Sequence, residues 1–248
     1  MYNYCSLCAS LDCAVIKMKS IVIKNLNYSY PDGKIALKNV CLEIEEGMKV
    51  ALIGSNGSGK TTLLLHLCGL LDGKGYIEVA GIERTKKNMS LIRKKTALLL
   101  NRAEYNFIMP DLLNDIMLSI PDSIKDKDLR KEKALEWLKR FSIEKYAKSN
   151  PMDLSSGEMK KGALAGIFAM EPEVVLLDEP LSNLDKPACI EVIKLLASMK
   201  QTALIATHSR IIAENLATHI AVIKEGEIQG LFPRDKALLM DEVNDLLI

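Results

Sequence analysis

Gly54-Ser55-Asn56-Gly57-Ser58-Gly59-Lys60-Thr61 is the stretch that decides the fold class of this 248-residue chain. It matches the pattern G-x-x-x-x-G-K-[ST] at every fixed position. A short apolar run over residues 49–53 precedes it, and a helical pattern over residues 62–71 follows it. Glycines let consecutive backbone N–H groups turn toward a triphosphate without Cβ clashes. The stretch therefore predicts a nucleoside triphosphate site between a strand and a helix.

The predicted helix points the positive end of its dipole at the bound phosphates. Lys60 is expected to reach the β- and γ-phosphates, and the Thr61 hydroxyl is placed to ligate Mg²⁺. A glycine-rich turn with a chance lysine would explain the motif by itself, but not its position between a strand and a helix. The predicted nucleotide-binding residues of this segment are Gly54, Ser55, Asn56, Gly57, Ser58, Gly59, Lys60, Thr61 and Thr62.

A second apolar run, over residues 174–177, ends in the two carboxylates Asp178 and Glu179. Strands of a parallel sheet present the residues at their carboxyl ends to bound ligands. Asp178 is expected to hold Mg²⁺ through water, and Glu179 to polarise the attacking water as a general base. An Asp-Glu pair after a strand usually begins a solvated loop. Together with a phosphate loop in the same chain, the pair predicts hydrolysis of the nucleotide.

The remaining pattern places these motifs in an α/β fold. Strand-like runs at residues 174–177, 203–206 and 220–223 alternate with helical patterns at 188–199 and 210–217, which predicts a mainly parallel sheet. Between about residues 102 and 170 the pattern is mostly helical, and residues 125–140 carry one apolar face with Leu129, Ala134, Leu135 and Leu138. We expect a P-loop NTPase core with an inserted helical subdomain.

Composition excludes several other classes of protein. The chain has 33 basic and 32 acidic residues, a formal net charge of +1, so no nucleic acid partner is expected. No apolar run approaches the ~20 residues that span a bilayer. Six cysteines include Cys5-x-x-Cys8, half of a zinc pattern, but no second pair follows at ligand spacing. The cysteines are interpreted as thiols in a reducing compartment.

The domain prediction divides the chain into three parts. Residues 1–17 are predicted to be a disordered extension or an upstream artefact of start-site choice, residues 18–231 the ATPase domain, and residues 232–248 a helical tail. The tail carries an amphipathic pattern, which leaves two alternatives open: it supports dimerisation, or it caps the fold.

From about residue 21 to residue 231 the sequence resembles the nucleotide-binding subunits of ABC transporters. Residues 154–158, Leu-Ser-Ser-Gly-Glu, match the family signature L-S-G-G-Q at the family's spacing before the acidic strand. Residues 182–185 match its D-loop, His208 its switch histidine, and Tyr30 the aromatic residue that stacks on adenine, with Tyr28 as the alternative.

The resemblance implies an ABC ATPase fold with an N-terminal antiparallel β part. It further implies that Ser155 and Gly157 of one subunit close over ATP held by a second ABC ATPase subunit, of the same or a different sequence. His208 then holds the γ-phosphate and Glu179 in register, and Asp185 lies at the nucleotide. Mg²⁺ is the implied cofactor, a transmembrane permease the implied partner, and the cytoplasmic face of the cell membrane the implied location.

A narrower resemblance is to the ATPases of energy-coupling-factor importers, which serve vitamins and transition-metal ions. It is carried by residues 28–33, Tyr-Ser-Tyr-Pro-Asp-Gly, by residues 36–40 and by residues 163–173. It implies import of a metal ion or vitamin. A groove near Asn101 and Pro110 is expected to receive a permease helix; the apolar candidates for that contact, or for core packing, are Phe107, Ile108 and Met109.

Four positions depart from the family pattern: Asn101 replaces a glutamine expected at Mg²⁺, Ser156 a glycine, Glu158 a glutamine and Lys161 an arginine. Ser156 is acceptable if the backbone there needs no positive φ. Because Lys60, Thr61, Asp178, Glu179 and His208 are all present, we predict an active ATPase with Glu179, His208 and Lys60 as its catalytic residues. Two alternatives stay open: a soluble ABC ATPase acting on ribosomes or DNA, and a nucleotide-gated binding module with weak hydrolysis.

Overall fold

The computed structural model describes residues 18–248. The predicted extension over residues 1–17, with Cys5 and Cys8, lies outside the described residues. Cys41, Cys68 and Cys189 are free thiols. No helix within residues 18–248 is long and apolar enough to cross a membrane.

The secondary structure alternates as the sequence pattern indicates. The strands are β1 (Lys19–Ser29), β2 (Ile35–Glu45), β3 (Lys49–Ile53), β4 (Lys74–Val79), β5 (Ile82–Glu83), β6 (Thr96–Leu99), β7 (Val174–Asp178), β8 (Thr202–Ala206), β9 (His219–Lys224) and β10 (Glu227–Pro233). The helices are α1 (Lys60–Leu67), α2 (Met89–Lys95), α3 (Leu112–Ser119), α4 (Lys127–Arg140), α5 (Ser156–Ala169), α6 (Lys186–Ser198), α7 (Arg210–Asn215), α8 (Arg234–Ala237) and α9 (Asp241–Asp245). Short 3-10 helices occupy Ala103–Asn106, Glu144–Tyr146 and Pro151–Asp153.

Two sheets form the core, as the predicted fold class requires. The smaller has the order β2-β1-β4-β5 with antiparallel pairs, and the larger has the order β10-β9-β3-β8-β7-β6. In the larger sheet β6, β7, β8, β3 and β9 are parallel, and β10 is antiparallel to β9. The side chains of β7 and β8 are all buried, which explains their continuous apolar runs.

Strand order brings the chemically active segments to one edge. Because β6, β7, β8 and β3 are parallel neighbours, the residues after their carboxyl ends meet. These residues are Asn101 after β6, Glu179 after β7, His208 after β8 and the phosphate loop after β3. The loop leads into α1, which ends at Leu67 rather than residue 71 because the chain turns at Gly69 (φ 72°).

Helices α3, α4 and α5 form the inserted helical region. Ala134 and Leu138 of α4 are fully buried, but Leu129 and Leu135 are 42% and 36% exposed, so the predicted apolar face was too wide. Helix α4 packs mainly on α3 and α5, so only a narrow stripe meets other residues. Helix α3 was not predicted as a separate element.

The tail differs from the single helix that its pattern indicates. Strand β10 runs past the predicted boundary at residue 231 to Pro233, and two short helices, α8 and α9, follow. Ala237, Val243 and Leu247 are buried in the main core. The tail therefore caps the fold of its own chain.

Candidate functional site

The phosphate loop joins β3 to α1, and two of its glycines are required by geometry. Gly57 has φ 79°, and a Cβ there would meet no atom within 4 Å, so this side of the loop is open. Gly59 has φ 109°, and a Cβ there would lie 2.7 Å from the Ala36 carbonyl oxygen. L-residues rarely adopt such backbone angles. The loop consequently presents a concave backbone surface at the N-terminus of α1, where anions bind.

Lys60 is the first residue of α1 and only 7% exposed. Its ammonium group donates to the carbonyl oxygens of Gly54 at 2.6 Å and Ser55 at 3.1 Å. Burial lowers the pKa of Lys60, and the charges of Glu179 and Asp178 oppose that shift. A charged group is thus held at the base of the loop, close to where phosphates would lie.

Thr61 and Asp178 are paired directly, since the Thr61 hydroxyl donates to Asp178 Oδ2 at 2.7 Å. Asp178 is 4% exposed; burial raises its pKa, and the Thr61 hydrogen bond and Lys60 oppose the rise. Within residues 18–248 no group of three His, Cys, Asp or Glu side chains could hold a metal. Mg²⁺ typically uses one or two protein oxygens and completes its shell with phosphates and water. The Thr61–Asp178 pair fits that ion.

Glu179 follows β7 with a left-handed backbone, φ 47°, and its N–H donates to the Ala206 carbonyl at 2.9 Å. Its Oε2 accepts from the Thr207 hydroxyl at 3.2 Å. The other oxygen, Oε1, is buried and accepts no hydrogen bond from the described residues; His208 Nε2 is 3.9 Å away. Burial raises the pKa of Glu179, and the charge of His208 opposes the rise. This arrangement leaves one carboxylate oxygen available for a proton.

His208 connects the phosphate loop to the tail. Its Nε2 lies 3.1 Å from Lys60 Nζ and 3.2 Å from Asn56 Oδ1. Its Nδ1 lies 3.4 Å from the Leu246 carbonyl oxygen, and its own carbonyl accepts from the Ile248 N–H at 2.7 Å. The sequence predicted the histidine but gave no signal for this contact with the tail.

Aromatic rings define the other end of the cleft. The Tyr30 hydroxyl is 2.9 Å from Thr62 Oγ1, and the ring lines the cleft. Tyr28 instead meets Tyr30 edge-on at 5.1 Å and the buried His66 ring at 4.6 Å. Of the two tyrosines, only Tyr30 is among the residues that line the cleft. The other two histidines do not line the cleft: His66 lies on α1, and His219 is the first residue of β9.

These residues enclose a cleft of about 270 Å³. The predicted site residues that line it are Tyr30, Asn56, Gly57, Gly59, Lys60, Thr61, Thr62, Asn101, Asp178, Glu179 and His208. Lys34 and Ala36 also line it and were not predicted. Gly54, Ser55 and Ser58 belong to the loop without lining the cleft.

Three predicted residues lie elsewhere: Ser155, Gly157 and Asp185 line a separate concavity of about 520 Å³. The Asp185 carboxylate caps α6, accepting from the Ala188 N–H at 2.9 Å. The structure therefore splits the predicted site residues into two groups, the cleft and a signature surface formed by residues 155–158 and 183–185.

Helix α5 begins at the signature and is capped by its own residues. Ser155 and Glu158 form a capping box: Glu158 Oε2 accepts from the Ser155 N–H at 3.1 Å and from its hydroxyl at 2.6 Å. Ser156 is the first residue of α5, so its backbone is helical and needs no glycine. Lys161, in the arginine position, pairs with Glu191.

One contact of the site was missed by the sequence analysis. Lys160 of α5 is 1% exposed, and its ammonium donates to the carbonyl oxygens of Asn101 and, at 3.4 Å, Glu179. Helical spacing from Lys160 to Ala163, Leu164 and Ile167 gave a signal, because it places the lysine on the buried face of α5.

Comparison with known proteins identifies the family. The family model described as ABC transporter matches residues 37–182. A candidate ABC transporter ATP-binding protein of Gloeobacter violaceus is 38% identical over 224 residues, covering 89% of this chain and 92% of that protein. The energy-coupling factor transporter ATP-binding protein EcfA of Methanothermobacter thermautotrophicus is 33% identical over 214 residues, covering 84% of this chain and 69% of its own.

Solved structures share the fold. CbiO1 of Clostridium perfringens, described as part of the ABC transporter complex cbiONQ, aligns with a TM-score of 0.77 and 27% identity, covering 92% of this chain and 93% of its own. The ATP-binding cassette MJ0796, dimeric and bound to ADP and Pi after hydrolysis, aligns with a TM-score of 0.79 and 26% identity, covering 86% and 98%. ATP is the nucleotide and Mg²⁺ the metal that such a site uses. This chain belongs to the ABC transporter family and is one of its ATPases.

Proposed function

We propose that this chain pairs with a second ABC ATPase subunit, of the same or a different sequence, around ATP and powers a membrane importer. The observation that carries the pairing is the separation of Ser155 and Gly157 from the cleft that contains Lys60. Ser155 offers a hydroxyl at a helix N-terminus, an arrangement that binds anions. A two-fold pair would place that surface over the cleft of the other subunit and complete each site.

Known relatives support both parts of this proposal. MJ0796 is described as a dimer in its ADP- and Pi-bound state, and CbiO1 as part of a transporter complex. Several relatives are named EcfA, energy-coupling factor ATP-binding proteins. Energy-coupling-factor importers serve vitamins and transition-metal ions, so a metal ion or a vitamin is the proposed cargo.

The predicted residues of the cleft have proposed roles in ATP hydrolysis. The loop amides over residues 54–62 and the Lys60 ammonium bind the triphosphate, and Tyr30 stacks on adenine. Glu179 accepts a proton from the attacking water through Oε1, the oxygen that has no hydrogen bond within the described chain. Water oxygen bonds to the γ-phosphorus, the bond from that phosphorus to the bridging oxygen breaks, and ADP and phosphate leave. His208 orients the γ-phosphate against Glu179.

Thr61 and Asp178 would hold Mg²⁺, and the Asn101 amide oxygen would reach it or its water from the same edge of the sheet. When bound, the ion neutralises charge on the phosphate oxygens as the bond breaks. Asp185, which lies on the signature surface, would contact the nucleotide of the partner subunit together with Ser155 and Gly157.

The proposed permease contact lies beside β6 in the helical region. A cavity of about 240 Å³ opens there between Leu98, Asn106, Asp115 and Gly166. Ile108, two residues after Asn106, is 81% exposed, whereas Phe107 packs against the main core. Ile108 is therefore the apolar side chain offered to a permease helix, with this chain peripheral at the cytoplasmic face of the membrane.

The pairing is tested with the Glu179→Gln variant, which should bind ATP without hydrolysing it. Light scattering is expected to show a doubled mass with Mg·ATP and a single mass with Mg·ADP. The unmodified chain, which hydrolyses ATP, should show no stable doubled mass. The control is Glu173→Gln, which changes a surface carboxylate paired with Lys95 and should release phosphate at the normal rate. A variant that binds ATP but stays monomeric, alone and with each ATPase subunit that copurifies with it, would refute the pairing.

The transport role is tested separately by membrane association. The chain should copurify with membranes that contain its permease, and Ile108→Asp should release it into the soluble fraction with unchanged ATP binding. Cells that lack the chain should lose uptake of one metal ion or vitamin. Copurification with ribosomes or DNA in place of membranes would contradict transport and favour the soluble alternative.

A further inference from the structure

Lys160 is a buried charge whose position the ATPase site described above does not explain. It is 1% exposed and lies on α5, the helix that begins at the signature. No carboxylate within residues 18–248 lies within 4.0 Å of its nitrogen; the ammonium donates to two backbone carbonyls instead, those of Asn101 at 2.5 Å and Glu179 at 3.4 Å. These carbonyls belong to separate segments, one after β6 and one after β7.

Stability alone does not account for a lysine here. The residues that follow it on the same face of α5, Ala163, Leu164 and Ile167, are apolar and buried. Burying a charge costs free energy that bonds to neutral carbonyls offset only in part. Burial lowers the pKa of Lys160, and the charges of Asp178, Glu179 and Glu104 oppose that shift. An apolar side chain would fill the same space at lower cost.

The second of these carbonyls belongs to Glu179, the proposed general base, whose placement determines where the proton of the attacking water can go. Glu179 has a left-handed backbone, which a non-glycine residue keeps only when its surroundings hold it. One constraint is its N–H bond to Ala206. Its carbonyl accepts from the Ser182 hydroxyl at 2.9 Å and the Ser182 N–H at 3.2 Å, and the Lys160 ammonium at 3.4 Å is the donor that comes from helix α5. Lys160 thereby contacts the turn that aims the Glu179 carboxylate and, through Asn101, the segment beside it.

We propose that Lys160 is a positioning residue that couples the signature helix to Glu179 and Asn101 of its own chain. The inference rests on the proposed function, in which Ser155 meets the ATP of the partner subunit. Ser155 caps α5, and Lys160 lies five residues further along it, about 7.5 Å along the helix axis. A shift of α5 when the partner's ATP is engaged would pass through the Lys160 ammonium to the Glu179 turn. ATP at one site would thus set the geometry of hydrolysis at the other.

The test replaces Lys160 by methionine, which keeps most of the length and volume and removes the donor. In the paired ATPase, kcat for Lys160→Met is expected to fall about 10- to 100-fold, with KM for ATP changed less than about 3-fold. Lys160→Arg, which keeps a charged donor, should recover at least a third of the activity. Lys49→Met is the matched control: the Lys49 ammonium also donates to a backbone carbonyl, that of Met199 at 2.8 Å, and burial also lowers its pKa.

Pairing is measured in the same experiment, in the Glu179→Gln background. The variant carrying both Lys160→Met and Glu179→Gln should still double its mass with Mg·ATP. If Glu179→Gln fails to pair both by itself and with each ATPase subunit that copurifies with it, the proposed function fails. If Glu179→Gln pairs and Lys160→Met keeps a kcat within about 2-fold of the unmodified chain, the coupling fails. A fall of similar size in Lys49→Met, or an equal loss of ATP binding, would show a merely structural role and overturn the proposal. If Lys160→Met does not fold, Lys160→Gln decides by the same criteria.

Discussion

Two helix N-termini in this molecule face anions in different ways. Helix α1 follows Gly59 and has no side-chain cap within the described chain, so its first N–H groups remain available to phosphate. Helix α5 follows Ser155 and carries a capping box, in which the Glu158 carboxylate accepts from both the N–H and the hydroxyl of Ser155. The difference teaches that the phosphate loop can bind phosphate in a single chain, whereas Ser155 of the signature already donates to a carboxylate of its own chain, that of Glu158.

Charge strengthens the contrast. At α1 the nearest charge is the buried Lys60 ammonium, which attracts phosphate. At α5 it is Glu158, whose pKa is lowered chiefly by the Ser155 hydroxyl, so the group is negative at neutral pH. In the proposed pair, ATP would compete with Glu158 for Ser155, and ATP already held by the partner subunit would arrive at a high effective concentration.

The largest effect is expected from Lys60→Met, which removes the positive charge from the phosphate loop at the N-terminus of α1. Loss of a buried charged donor to phosphate should weaken Mg·ATP binding to the single chain about 100-fold and abolish detectable turnover. Titration with a fluorescent ATP analogue and phosphate release measure the two effects. Lys38→Met, an exposed lysine whose nearest carboxylate is Glu227 at 3.9 Å, is the control and should bind normally. Retained affinity in Lys60→Met would mean that loop amides alone hold the triphosphate.

Ser155→Ala should separate the two helix termini. It removes the signature hydroxyl and a helix cap worth about 1 kcal/mol, but it touches no residue of the cleft. In the Glu179→Gln background, the ATP concentration for half-maximal pairing should rise about 10-fold, while ATP binding to the single chain stays within about 2-fold. Light scattering measures pairing, and titration with a fluorescent ATP analogue measures ATP binding to the single chain. The control is Ser198→Ala, at a helical serine that donates to the Leu195 carbonyl; it should change neither pairing nor ATP binding. If Ser155→Ala weakens ATP binding to the single chain, Ser155 contributes to the cleft of its own chain.

What the sequence could predict follows the same division. The phosphate loop, Asp178 and Glu179 were predictable because each is a contiguous motif at a strand end, and parallel strands bring such ends to one edge. Periodicity indicated that Lys160 faces inward, but not that Asn101 and Glu179 lie opposite it. The tail contact with His208 joins segments nearly forty residues apart, and no local pattern encodes it.

Tyr30→Ala tests whether the cleft alone reads the base. Loss of one aromatic platform should weaken ATP binding about 10-fold, because stacking on a base is worth about 1–3 kcal/mol. Inorganic triphosphate, which has no base, should bind Tyr30→Ala and the unmodified chain equally. Tyr30→Phe keeps the ring, loses the Thr62 contact and should stay close to normal. Equal losses for ATP and triphosphate would show that Tyr30 shapes the loop and does not contact adenine.

The smallest and most diagnostic change is Glu158→Gln, which keeps an acceptor for Ser155 and removes the negative charge. If Glu158 competes with the partner's ATP, the variant should pair at an ATP concentration about 3-fold lower in the Glu179→Gln background. The gain should shrink between about 0.05 M and about 0.5 M salt, since a partly exposed charge is screened. Glu136→Gln, with the same charge change on exposed α4, should give no gain. A salt-independent gain would assign the effect to helix capping, and no gain at all would mean that the capping box opens freely, so that the two helix termini differ in geometry but not in their readiness to bind phosphate.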